Sequence, residues 1–294
     1  MLRLFFYIFS LKILDVAYEC LSDICNDIII KNEYRTTKKR ELFVKIIVLG
    51  NQAAFPKAGR HHVSFIVSDD EGTNLLLEMG PGTCSRFQEY VPLSSITAVL
   101  ISHAHADHLL DLFTFAYGVY MYNYLQRGKY RPQVYLPSHG IRVVEAIAKD
   151  LNVEKYIESL SLAPVAEEFN IRKLTVKTQR TNHFIPTVAI RIEDVQGKSV
   201  TYTSDTGFTE ELVDFAKNTD LLIAEATLRK DDESPQLKHL SGRLAGMLAK
   251  KSAAKRLLLA HLWYEYDESE ILDEAKQVFD DEIEIAQEGK IYTI

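Results

Sequence analysis

From Val44 onward the apolar positions follow two rhythms. Short runs rich in Val, Ile, Leu and Thr, bounded by Gly, Pro or Asp, predict strands at 44–49, 62–68, 74–79, 97–102, 133–136, 171–180, 187–193, 199–204, 220–226, 256–261 and 283–293. Between them, apolar residues recur with helical period at about 83–90, 107–125, 141–151, 208–218, 241–252 and 268–279. Thr209, followed by Glu210, Glu211 and Asp214, has the signature of a helix N-cap. The order is hairpin-like strands, then strand–helix alternation, then the same style again. No linker, short-period repeat or low-complexity run divides this stretch. The pattern predicts one α/β domain over 44–294, with two mixed β-sheets and outer helices.

Residues 1–43 do not share this rhythm. Three readings stand open. Leu2-Arg3-Leu4-Phe5-Phe6-Tyr7-Ile8-Phe9 resembles the apolar core of a secretion signal, but Lys12 and Asp15 cut the run short and no small-residue cleavage site follows. A helical appendage is the second reading, with an apolar stripe reaching about Ile30. In the third, the segment is upstream sequence with a mis-assigned start. Lys38-Lys39-Arg40-Glu41 can be encoded by purines alone, like a ribosome-binding site, and Val44 could be a GTG start.

Composition narrows the function classes. Apolar residues make up 47% and charged residues 26%, so a large core and a solvated surface are both available. The net charge of −7 argues against an extended nucleic-acid footprint, which needs Lys and Arg to release counterions. The three cysteines, Cys20, Cys25 and Cys84, form no disulfide framework and fit a cytoplasmic location. Beyond the N-terminus no run approaches the roughly 18 apolar residues of a membrane span, so no membrane partner is expected.

The chemistry is concentrated in Ile101-Ser102-His103-Ala104-His105-Ala106-Asp107-His108, which follows a predicted strand and precedes a helix. Imidazole nitrogens and a carboxylate are donors that a borderline divalent ion such as Zn²⁺ accepts. His103 and His105 alternate in extended chain and point the same way. Asp107 and His108 enter the next turn and can face a second ion. Three further residues end apolar strands in the same manner: His183, Asp205 and His261. Singly, each could be an ordinary hydrogen-bonded residue. Together with the first cluster they complete two coordination shells.

These residues carry a resemblance. The motif His103-Ala-His105-Ala-Asp107-His108, with His183, Ser204-Asp205-Thr206-Gly207 and His261, resembles the metallo-β-lactamase superfamily over about residues 44–294. The resemblance implies that family's αβ/βα sandwich and two divalent metal ions, zinc first and manganese or iron as alternatives. It also implies that His103, His105 and His183 surround one ion, that Asp107, His108 and His261 surround the other, and that Asp205 bridges them. Two such cations lower the pKa of a shared water toward neutrality and stabilise charge on a phosphoryl or acyl oxygen. Asp107 would orient the resulting hydroxide or accept its proton.

His239-Leu240-Ser241-Gly242, 22 residues before His261, resembles the ribonuclease Z-like phosphodiesterase branch, where a histidine assists the leaving group. Leu240 makes that match partial. The bland alternative is that His239 only bonds backbone before a helix. Glu78 stands where the family usually has an aspartate that orients the metal site, and Gly80 and Gly82 fit a tight turn beside it. A tRNA-gripping arm would have to lie in Tyr117–Pro132, where tyrosines alternate with bases, but that stretch reads as helix and turn. His61 and His62 read as surface or strand-end residues, His139 as a loop residue and Cys84 as packing. The expected activity is therefore a metal-dependent phosphodiesterase acting on a small-molecule or nucleotide phosphodiester, with tRNA not favoured and a homodimer as the commonest assembly. A thioester or lactone hydrolase of the glyoxalase II type is the rival enzyme. A metal-retaining binding or sensor protein is the rival outside catalysis.

Overall fold

A computed structural model describes residues 44–294, Pro235 aside. The segment 1–43, on which the three N-terminal readings fall, lies outside the described residues.

The first half of the domain runs β1 (Lys45–Gly50), β2 (Ser64–Ser68), β3 (Asn74–Leu77), α1 (Thr83–Phe87), β4 (Ala98–Leu100), α2 (Ala106–Leu109), α3 (Asp111–Gln126), β5 (Gln133–Leu136), α4 (Ser138–Asp150), α5 (Glu154–Ile157) and β6 (Ser161–Pro164). The second half runs β7 (Glu168–Ile171), β8 (Leu174–Arg180), β9 (Val188–Glu193), β10 (Ser199–Tyr202), α6 (Glu210–Phe215), β11 (Leu221–Glu225), α7 (Gly242–Ser252), β12 (Arg256–Ala260), α8 (Glu268–Lys276), β13 (Glu282–Ile285) and β14 (Ile291–Thr293). Two seven-stranded sheets result, ordered β14-β1-β2-β3-β4-β5-β6 and β13-β12-β11-β10-β9-β8-β7.

Period-two alternation builds the layers. Ile46, Val48, Phe65, Val67, Leu75, Leu77 and Leu100 turn toward the second sheet and meet Val176, Ile190, Tyr202, Ile223 and Leu258 there. The rings of Phe65 and Tyr202 touch edge to face across this seam, 5.7 Å apart. The intervening Leu49, Ile66, Leu76 and Val99 face outward and are covered by Phe87, Phe115 and Val144 of α1, α3 and α4. On the far side Leu222, Ala224, Leu257 and Leu259 lie under Leu212, Leu248 and Ile271 of α6, α7 and α8. Both sheets are thus buried on two faces, which is the αβ/βα sandwich expected from the sequence.

Strands β3 to β6 are parallel, and so are β10 to β13. The loops bearing His103 to His108, Asp205 and His261 follow their carboxyl ends, while the loop bearing His183 joins the antiparallel strands β8 and β9. The expected Thr209 cap holds: its side chain accepts from the amide of Leu212 at 3.2 Å.

Several boundaries differ from the sequence expectation. The run 171–180 is the end of a hairpin: Ile171 pairs with Leu174 around Arg172, whose φ is 54°. The polar Arg172-Lys173 pair takes the turn inside an otherwise strand-like stretch. The run 283–293 divides between β13 and β14, which belong to different sheets, because the polar residues up to Gly289 reverse the chain at φ 84°. The helix expected at 107–125 breaks after Leu109, where the amide of Asp111 donates to Met79 O at 2.8 Å. β6 and α5 are too short to show a period and were not expected.

Candidate metal centre

The loop after β4 carries His103, His105, Asp107 and His108, and the tertiary fold brings His183, Asp205 and His261 against it. Donor atoms of His103, His105, His183 and Asp205 lie within 4.8 Å of one another, and so do those of Asp107, His108 and His261. In the first group His103 Nε2 is 3.0 Å from His105 Nδ1, which is 3.2 Å from His183 Nε2. In the second, His108 Nε2 is 3.2 Å from His261 Nε2, and each stands 3.3 Å from Asp107 Oδ2. Asp205 lies between the groups. Its Oδ2 is 3.7 Å from Nε2 of both His103 and His183, and its Oδ1 is 3.4 Å from Nε2 of both His108 and His261.

The backbone is bent to achieve this. Glu78, Ser204 and His261 adopt φ of 67°, 53° and 55°, a region that non-glycine residues seldom occupy, and all three border the cluster. Gly80 permits the closest approach: a Cβ there would stand 1.8 Å from the carbonyl oxygen of Asp107. Only a residue without a side chain lets the 78–82 turn press against α2.

Electrostatics match a cationic occupant. Burial, reinforced by the charge on His108, holds the His103 imidazole well below its usual range. Burial also lowers His105, and it lowers His183 to about 4, so these rings are neutral donors. Burial would raise Asp107, but His108 and His261 outweigh it and keep the carboxyl well below the carboxylate range. Asp205 is held ionised in the same way, by His261 and then His108. Burial disfavours charge on His108, yet Asp205, Glu78 and Asp107 together drive it well above the ordinary histidine value. Three buried carboxylates therefore demand positive charge at this point. Nitrogens each 2.0–2.1 Å from a shared tetrahedral ion would stand about 3.4 Å apart, close to the spacings seen. Asp205 Oδ1 is buried with no hydrogen-bond partner. The donor set fits divalent metal.

The ligand rings are held from behind. Ser102 Oγ is 2.9 Å from His103 Nδ1 and accepts from Ser204 Oγ at 2.6 Å. Glu78 Oε1 is 3.3 Å from His108 Nδ1, while its Oε2 accepts from the Ser102 amide at 3.1 Å. The longer glutamate thus reaches the position where an orienting carboxylate is needed. Thr227 Oγ1 lies 2.8 Å from His261 Nδ1 and donates to Glu225 Oε2 at 2.6 Å. Oε1 of the same glutamate lies 2.8 Å from His239 Nδ1. A donor atom of His239 falls within 4.8 Å of those of Asp205 and His261, so the ring borders the cluster as well as bonding its neighbour. Burial works against charge on His239, and Glu225 outweighs it, raising the imidazole to about 9.

Ser102, Ser204, Glu225 and Thr227 escaped the sequence reading. Glu225 had a usable signal: it closes the buried strand Leu221-Leu222-Ile223-Ala224, the same strand-then-polar pattern that marked Asp205 and His261. The serines and the threonine had none, since the contacts that tie them to the cluster, Ser204 to Ser102 and Thr227 to His261, join residues distant in sequence. His61 and His62, read as surface or strand-end residues, are tied to their neighbours. His61 Nδ1 pairs with Glu288 at 2.9 Å and His62 Nδ1 with Pro81 O at 3.0 Å. His139 lies in the first turn of α4, not in a loop as expected, because the helix begins at Ser138. Tyr117–Gln126 continues α3, and Asn123 brackets the following turn by bonding both the amide and the carbonyl of Tyr130.

The chain belongs to the β-lactamase superfamily: the model of the beta-lactamase superfamily domain matches residues 73–262. Among its relatives is the probable metallo-hydrolase YhfI of Bacillus subtilis (strain 168), 27% identical over 249 residues that span 85% of this chain and 99% of that protein. The crystal structure of YhfI superposes with a TM-score of 0.76 at 25% identity, over 86% of this chain and 100% of that one. Ribonuclease Z of Methanopyrus kandleri is 26% identical over 275 residues, covering 82% and 94% of the two chains. Human tRNase Z, short form, shares the fold with a TM-score of 0.66 at 21% identity, over 84% and 98%. The protein is thus a metal-dependent hydrolase of this superfamily. No helix among the described residues is long and apolar enough to cross a membrane.

Proposed function

We propose that the chain is a binuclear phosphodiesterase acting on a small or nucleotide-like phosphodiester. His103, His105 and His183 would hold one ion, Asp107, His108 and His261 the second, and Asp205 both; zinc suits this set of imidazole and carboxylate donors. When bound, such ions supply an activated water and offset charge on the phosphoryl oxygens. Asp107, at the rim of the second group, would orient that water.

The observation that carries the reading is His239. Its Nδ1 is occupied by Glu225, and the ring borders Asp205 and His261. Glu225 sustains the protonated imidazole, the form that can donate to a departing alkoxide oxygen. An ester with a good thiolate leaving group has less need of such a donor, which favours phosphodiester over thioester cleavage. The similarity to ribonuclease Z supports the same branch. Phe184 and Phe55, 56% and 59% exposed, adjoin the loops of His183 and His261 and offer faces on which a base could stack. Tyr117–Pro132, being helix and turn, lends no support to a tRNA-gripping arm.

The test is metal analysis with a screen of chromogenic phosphodiesters and thioesters, using His239→Ala alongside the natural protein. About two ions per chain are expected, with phosphodiester turnover falling at least ~100-fold in the variant. Unchanged turnover removes His239 from the mechanism. Thioester turnover alone overturns the phosphodiesterase reading.

A further inference from the structure

A cavity of about 660 Å³ lies beside the ligand loops but contains none of the seven candidate ligands. Its walls come from the start of α4, the β6–β7 connection, the end of β8 and the start of β9. That size suits a small molecule. Arg142 and Arg180 both line it, and neither has a carboxylate within 4.0 Å among the described residues. Glu167 is the one acidic residue in the wall, and it pairs with neither arginine. Ser138 and His139 also line it, in the first turn of a 13-residue helix that has no side-chain cap. Two guanidinium groups without a carboxylate partner among the described residues and the first turn of an uncapped helix thus line one concavity, a combination that favours an oxyanion.

The cavity backs directly onto the ligand loops. Thr187, in its wall, accepts from the Thr181 amide at 3.1 Å and so closes the loop that bears His183. The amide of Val188, also in the wall, donates to Ser102 O at 3.2 Å, next to His103.

We propose that this cavity binds a phosphate-type oxyanion, held by Arg142, Arg180 and the first turn of α4. The anion has two possible sources: a second phosphate on the substrate itself, or free phosphate acting as an effector on the His103 and His183 loops. The first source rests on the phosphodiesterase reading. The binding does not.

The test titrates inorganic phosphate into the metal-loaded full-length protein and into two variants, Arg142→Gln/Arg180→Gln and Asp205→Asn. Both arginines are exposed, so the double variant retains the fold, which circular dichroism verifies. A phosphate site weakened at least tenfold by the double substitution and retained in Asp205→Asn is the expected result. Equal affinity in the double variant, or complete loss in Asp205→Asn, overturns the proposal. Kinetics then identify the source. A raised KM in the double variant, only for phosphodiesters bearing a terminal phosphate, marks a substrate subsite. A phosphate-dependent change in the kcat of the natural protein, absent from the double variant, marks an effector. Phosphate titration needs no turnover, so failure of the phosphodiesterase reading would be seen separately.

Discussion

Glu225 Oε1 lies 2.8 Å from His239 Nδ1 and accepts the Thr206 amide at the same distance, while its Oε2 takes both the amide and the hydroxyl of Thr227. Every lone pair that a fully buried carboxylate offers is thus engaged, and the Thr227 hydroxyl extends the chain to His261. One glutamate therefore supports both His239 and a candidate ligand.

This arrangement makes Glu225→Gln informative. A glutamine presents an NH₂ where the carboxylate only accepted, so one edge faces donors however the amide is turned. Turnover should fall about 10–100-fold, and its alkaline limb should move to lower pH as His239 loses the carboxylate that raises its pKa. Steady-state kinetics across pH would measure this. An unshifted limb would show that Glu225 does not act through His239.

Removal of metal should be costly to the fold as well as to activity. Glu78, Asp107 and Asp205 are buried around one point, and without a cation their charges repel. Chelation should lower Tm, and zinc at a thousandfold its Kd should restore about 4 kcal/mol. Asp205→Asn, with a single acceptor oxygen left to serve both groups, should lose bound metal and ~100-fold in turnover. Full metal content in that variant would rule out a bridging role.

Gly80→Ala places a methyl group where the Asp107 carbonyl already sits. The 78–82 turn and α2 must separate, at a cost of about 3 kcal/mol and with loss of metal affinity. Gly118 is the control: a Cβ there meets only Leu93, at 3.6 Å, inside α3. Gly118→Ala should raise stability by about 0.5–1 kcal/mol. Thermal unfolding of both variants checks the contrast, and equal behaviour would refute it.

Away from the centre, Asp220 accepts the Ser199 amide at 2.9 Å and pairs with Lys255 at 2.7 Å. Burial would raise its pKa, but the Lys255 bond and then the Ser199 amide outweigh burial and lower it. A folded-state value below the unfolded one stabilises above the ordinary aspartate pKa of about 3.9, and that contribution is lost as pH falls through the folded value. The natural protein should exceed Asp220→Asn by about 1–2 kcal/mol at neutral pH. The difference should shrink as the pH falls below the ordinary aspartate value of about 3.9 and vanish once the pH has passed the lower folded-state value. Denaturant titrations at several pH values would measure it, and a constant difference would sink the assignment.

The sequence by itself determined two sheets with outer helices, because a near-continuous apolar run such as Ile46 to Leu49 already states that both faces of its strand are buried. It also determined that His103, His105, Asp107 and His108 act together, since neighbours on one loop need no fold to meet. The short elements β6 and α5 escaped because neither is long enough to reveal a period, and their geometry comes from packing. Only tertiary structure decided that His183, Asp205 and His261 close around that loop, that Asp205 offers one oxygen to each group, and that Glu225 stands behind His239. It also gathered Arg142 and Arg180 into one cavity. The physical reason is range. Periodicity records what each residue must face, whereas a donor set drawn from residues far apart in the chain exists only after two sheets have packed and brought their strand ends together.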